Sequence, residues 1–124
     1  MNKIVLDASV ILAVINNEPG IDDLVPELLA NAVGGAVNLA EVQAKLVSRG
    51  WTSAQAWEDA ISPVRGVLPF DAKQAKVAGD LIMHTQSFGD RACLALGMSL
   101  QAPVYTAEKS WKKLNVGVRI HIIR

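Results

Sequence analysis

Cysteine is nearly absent. Cys93 is the only one in 124 residues, so neither a disulfide framework nor a thiolate metal site can be built. It lies in the apolar stretch Ala92 to Leu100, where a buried core thiol is expected. An excess of charge of either sign is also missing. Twelve basic and twelve acidic residues cancel, so any nucleic-acid binding must come from a local patch rather than a global field. The basic skew from Ala107 to Arg124, with Glu108 the single acid, is modest, and a solvated surface accounts for it nearly as well. No apolar run approaches the ~18 residues that span a membrane. Met1-Asn2-Lys3 leads straight into a short strand with no signal-peptide pattern, so the expected compartment is the cytoplasm. Repeats, low-complexity tracts and linkers are lacking too, and one domain over 1–124 is expected. What the chain does have is apolar bulk. With 51% hydrophobic and 19% charged residues, it is expected to fold around a real core.

The chain is organised around Ile4-Val5-Leu6-Asp7. The apolar run shows no alternation, which suits a strand buried on both faces. Asp7 ends it. Val10, Ile11, Val14 and Ile15 then share one helical face between Ala8 and Asn16. Asp7 thus stands at the carboxyl end of a strand and the amino end of a helix, the edge at which open α/β sheets bind ligands. Alone, Asp7 reads as well as a helix cap.

Further along, Asn16 to Gly20 is a turn cluster. A second helix is expected from Asp22 to about Val33, and a short strand near Ala32 to Val37, which Gly34-Gly35 weakens. Asn38 to Arg49 reads as a third helix stopped at Gly50. A fourth, capped by Thr52, runs to Ile61, and Gly66 to Phe70 is a strand. Helices are expected over Asp71–His84, capped by Asp71, and over Gly89–Leu100. Val104 to Thr106 is a strand, Lys109 to Leu114 a helical turn or two, and Val118 to Ile123 a last strand. Strands alternating with helices predict a three-layer α/β/α fold around a mostly parallel sheet of about five strands.

Four acids fall near helix starts: Asp7, Glu41, Asp90 and Glu108. Topology places Asp7, Glu41 and Glu108 on one sheet edge; Asp90 follows a loop and is not forced there. One acid at a helix start merely complements the macrodipole, and Asn38-x-x-Glu41 is close to a capping box. Four on one edge repel one another, and partial burial raises their pKa values. A divalent cation among them relieves this. The donors are all oxygen, which suits Mg²⁺ or Mn²⁺ and not zinc. Asp7, Glu41 and Asp90 are expected to lie close enough to share one ion.

At these residues the chain resembles PIN-domain proteins, and more narrowly VapC-type toxin ribonucleases. The matching stretches are Val5-Leu6-Asp7-Ala8-Ser9, Asn17-Glu18-Pro19-Gly20, Val37-Asn38-Leu39-Ala40-Glu41-Val42, Pro69-Phe70-Asp71, Gly89-Asp90-Arg91-Ala92-Cys93-Leu94-Ala95-Leu96 and Tyr105-Thr106-Ala107-Glu108-Lys109-Ser110-Trp111. They occur in the family's order along the whole chain. The resemblance implies a metal-dependent endoribonuclease with its site at Asp7, Glu41 and Asp90. It also implies an RNA substrate, often tRNA, a homodimer and a cognate antitoxin that blocks the toxin. The fourth acid departs from the pattern: the family usually carries Asp where this chain has Glu108. The extra methylene moves the carboxylate by about a bond length (~1.5 Å), far more than metal distances tolerate (~0.2 Å). Glu108 is therefore expected to be peripheral, acting through water or after a local shift. The stretch His84 to Phe88 is shorter than the family often carries, which bears on substrate choice.

Other residues have plainer readings. Ser9 and Thr106 either bond an acid or metal-bound water or cap a turn, and Arg91 is read as structural. His84 is expected at a helix end and His121 in the last strand. Trp51, Trp57 and Trp111 are read as core or partner-groove packing before base stacking. The apolar second helix and the Trp51–Trp57 region are plausible antitoxin surfaces. Two other functions compete: a Mg-dependent phosphotransfer domain whose Asp is phosphorylated, and a catalytically weak RNA- or protein-binding PIN module.

Overall fold

The computed structural model describes residues 2–124. β1 (Ile4–Leu6), β2 (Ala32–Gly35), β3 (Val67–Leu68), β4 (Val104–Thr106) and β5 (Ile120–Ile122) form one sheet in the order β3-β2-β1-β4-β5. Every pairing is parallel, so the expected architecture is present and the sheet is wholly parallel. Parallel neighbours need crossovers, supplied by α1 (Ala8–Ile15), α2 (Pro26–Leu29), α3 (Ala36–Ser48), α4 (Ser53–Ile61), α5 (Ala72–Asp80) and α6 (Phe88–Leu100), and between β4 and β5 by a 3-10 turn, Lys109–Lys113. No helix among the described residues is long and apolar enough to cross a membrane.

β1 is central, and successive side chains point to opposite faces. Ile4 and Leu6 pack into a core with Val10, Ile11, Leu39, Val42, Leu46 and Ala60, from α1, α3 and α4. Val5 points the other way, into a second core with Cys93, Leu94, Leu96, Val104 and Trp111. This two-sided burial explains the unalternating apolar run. Cys93 is the expected core thiol, fully buried, and burial pushes its pKa well up.

Several boundaries correct the sequence reading. The second helix is only α2, preceded by a 3-10 turn at Ile21–Asp23; Pro26 starts a new helix because it suits a first turn and cannot continue an older one. β2 forms despite its glycines, since a Cβ at Gly34 would collide with Leu39 Cδ2. The strand needs glycine there to let α3 approach. α3 begins at Ala36, so Asn38 is not its cap and Glu41 sits in the second turn, not at the start. The fifth helix ends at Asp80 and continues as a 3-10 turn, Leu81–Met83. The last strand is shorter than expected, Ile120–Ile122. Thr52 and Asp71 cap as expected, accepting from Gln55 N–H at 3.2 Å and Gln74 N–H at 2.9 Å.

The strand order reverses at β1. The chain leaves β1 towards β2 on one side, and β4 lies on the other. The carboxyl ends of β1 and β4 therefore open a crevice, and such switch points are where α/β sheets receive ligands.

Candidate active site

Asp7 occupies the N-cap position of α1, yet its side chain makes no cap bond. It is 3% exposed. Its Oδ2 accepts from Ser9 Oγ at 2.7 Å and from Thr106 Oγ1 at 3.0 Å. An ionised carboxylate only accepts, so both hydroxyls donate. They in turn accept from the backbone beyond β4: Ala107 N–H reaches Ser9 Oγ at 2.9 Å, and Glu108 N–H reaches Thr106 Oγ1 at 3.0 Å. Asp7 is thereby pinned across the crevice. Burial pushes its pKa from 3.8 up to about 6; Asp90 nearby adds to the rise, and the two hydroxyls oppose it.

Asp90 sits in the first turn of α6, whose cap, Ser87 Oγ, accepts from Asp90 N–H at 3.2 Å. Its Oδ2 accepts from the indole Nε1–H of Trp111 at 3.3 Å and from Thr85 Oγ1 at 3.4 Å. Glu41 Oε1 accepts from Asn38 Nδ2 at 3.2 Å, and the same amide donates to the Gly89 carbonyl at 3.0 Å. The Glu41 carboxylate lies directly against Gly89, where a Cβ would stand 2.5 Å from Glu41 Cδ. Any larger residue at 89 would evict it. Partial burial raises the Glu41 pKa, and Asp90 adds to the effect. Glu108 is exposed and caps nothing, although it precedes the 3-10 turn Lys109–Lys113.

All four predicted acids, Asp90 included, line one cleft of about 280 Å³ together with Ser9 and Lys45. Among the described residues, no three His, Cys, Asp or Glu side chains converge tightly enough to hold an ion as they stand. The expected sharing of one ion by Asp7, Glu41 and Asp90 is thus not preformed. Glu41 and Glu108 are exposed. The donor set nevertheless fits a hard cation: it is all oxygen, and Gly89 leaves room for the Glu41 carboxylate. Larger hollows of about 490 and 360 Å³ lie at the opposite sheet edge beside Arg119 and contain no acid.

The other candidates separate cleanly. Ser9 and Thr106 bond Asp7. Arg91 pairs with neither Glu41 nor Asp90; it donates to the Ala78 carbonyl at 3.1 Å and lies 5.7 Å from the Phe88 ring centre, a structural role. His84 is exposed at the end of the α5 region, and His121 stacks on Tyr105 at 4.7 Å; neither lines the cleft. Sequence reasoning missed Lys45 and the polar use of Trp111, and read Asn38 only as part of a capping box. Lys45 was within reach of it, since i, i+4 from Glu41 puts it on the same helix face.

An all-parallel α/β sheet with acids gathered at its switch point defines the class of protein. The sequence matches the family model of the PIN domain over residues 4–116, and the chain belongs to that family. Similar solved structures include DNA-bound VapBC from Salmonella typhimurium (18% identity, TM-score 0.78, 100% of both chains covered). VapBC2 from Rickettsia felis bound to a promoter DNA fragment shares 17% identity over 98% of each chain, with a TM-score of 0.76. VapBC-5 from Mycobacterium tuberculosis, a member of the VapBC family of toxin–antitoxin systems, shares 21% over 100% of this chain and 99% of that one, with a TM-score of 0.63. At such identities the likeness is one of fold. Comparison with curated proteins finds no match.

Proposed function

We propose that this chain is a VapC-type toxin: a Mg²⁺- or Mn²⁺-dependent endoribonuclease, one nuclease domain over 1–124, that cuts phosphodiester bonds in structured RNA, tRNA foremost. The observation that carries the proposal is the state of Asp7. It is a carboxylate 3% exposed, beside Asp90. The ion pairs among the described residues are Lys76–Asp80 and Arg124–Glu18, and neither touches the cleft. A buried carboxylate without a cation is costly, and this one sits in a cleft that holds three more acids. That arrangement favours an external cation over a structural cap.

Asp7, Glu41 and Asp90 would hold the ion, with Glu108 reached through water or after a side-chain shift. Bound there, the ion would supply Lewis acidity and a water activated for attack on phosphorus. The chain's own contribution is placement. Ser9 and Thr106 fix Asp7, Asn38 and Gly89 fix Glu41, and α6 presents Asp90. Lys45, the one cationic side chain among the described residues lining the cleft, is placed to meet a substrate phosphate. The phosphotransfer reading lacks a second feature to support it.

The named neighbours are VapBC complexes, which supports an antitoxin partner here; the homodimer rests on the family resemblance. Mapping cleavage ends on total RNA with wild type and Asp90→Asn tests the proposal. Discrete ends that depend on Asp90 are expected. Identical maps for the two proteins would refute it.

A further inference from the structure

Trp111 is 2% exposed and packs in the core between α6 and the sheet, yet it is not only a packing residue. Its indole Nε1–H donates to Asp90 Oδ2 at 3.3 Å, and its backbone N–H donates to the Glu108 carbonyl at 3.1 Å. One buried residue thus bonds Asp90 through its side chain and the Glu108 main chain through its own main chain. It carries the last connection in a chain of bonds: Asp7 to Thr106, Thr106 to the Glu108 N–H, Glu108 C=O to Trp111, and Trp111 to Asp90.

The second donor to Asp90, Thr85 Oγ1, is at 3.4 Å and belongs to the loop before α6. Both donors address Oδ2, which leaves Oδ1 as the oxygen available to a cation. The ring is 2% exposed, in the same core as Val5, Cys93 and Leu94, whereas Thr85 is half-buried in a loop, so Trp111 is the stiffer of the two guides. We propose that Trp111 is a positioning residue that orients the Asp90 carboxylate for cation binding. The inference rests on the metal-dependent reading of the cleft. A partner that fixes a ligating carboxylate is worth roughly 10–100-fold in metal affinity.

Trp111→Phe keeps most of the ring and removes the N–H. The test is Mg²⁺ titration by calorimetry of wild type and Trp111→Phe, with circular dichroism as the check on folding. Alongside it, ¹H–¹⁵N spectra follow the three indole groups, Trp51, Trp57 and Trp111, in wild type and Asp90→Asn. Trp111→Phe should bind Mg²⁺ about 10-fold more weakly. The Trp111 indole signal should move with Mg²⁺ in wild type and not in Asp90→Asn. Equal Mg²⁺ affinity in wild type and Trp111→Phe overturns the positioning role while leaving the metal site standing. No Mg²⁺ binding by wild type overturns both and is read from wild type alone. Should Trp111→Phe not fold, the indole signal decides: a Trp111 resonance that ignores Mg²⁺ in wild type that binds it refutes the inference.

Discussion

Asp7→Asn should make the metal-free protein more stable. Lifting the Asp7 pKa from 3.8 to about 6 means that the native state binds more protons than the unfolded chain. The favourable contribution is complete below the unfolded value and is lost as pH rises through the folded value, between about 4 and 6. Above that window the ionised group costs on the order of 3 kcal/mol, and at pH 5 about half of that. Asparagine keeps an oxygen to accept from Ser9 and Thr106 and turns an uncharged amide towards the cleft. In chelator at about pH 7.5, Asp7→Asn should therefore exceed wild type by roughly 1–3 kcal/mol, a rise of several degrees in Tm. The gap should shrink by about half at pH 5. Mg²⁺ or Mn²⁺ should close most or all of the gap, because an ion that binds only the native wild type stabilises it by about 2.7 kcal/mol at 100 Kd. Thermal unfolding of both proteins, at both pH values, with chelator and with metal, makes the comparison. If Asp7→Asn is less stable in chelator at both pH values and both proteins respond equally to metal, Asp7 is a structural cap and the reasoning fails.

Other expected outcomes follow from the same geometry. Glu108→Gln should retain more cleavage than Asp7→Asn across a Mn²⁺ series, because Glu108 is exposed and peripheral; an equally complete loss would make it a direct ligand. Gly89→Ala should displace Glu41 and weaken metal binding by at least about 10-fold, as read by calorimetry, and unchanged affinity would contradict this. Lys45→Ala should raise KM for RNA more than it lowers kcat if the Lys that lines the cleft meets substrate phosphate; a pure kcat effect would argue against that contact. Cys93 should resist alkylation in the native state and react only on unfolding, as its burial demands.

Much of this was legible because β1 is short, apolar and followed at once by Asp7. Fold and site meet at that junction, and topology put Asp7, Glu41 and Glu108 on one edge; Asp90 follows a loop, and only the family resemblance assigned it to the same site. What could not be read depends on packing. The start of α3 was misplaced by two residues because Asn38 resembles a cap in sequence, whereas in three dimensions its amide bridges Glu41 and the Gly89 carbonyl. Gly34 looked like a weak point in a strand until the approach of Leu39 was visible. The Trp111–Asp90 bond joins residues 21 apart in the chain, and no local pattern announces it. That the acids do not close on a common point depends on side-chain placement, which residue spacing does not encode.

Metal-dependent RNA cleavage is the central claim. The direct measurement is cleavage of purified tRNA by the purified chain, first in chelator and then with Mn²⁺ or Mg²⁺ restored, beside Asp90→Asn under the same conditions. No cleavage is expected in chelator, with saturable recovery on adding the ion in wild type and none in Asp90→Asn. Cleavage that persists in chelator, or that Asp90→Asn matches, would contradict the claim.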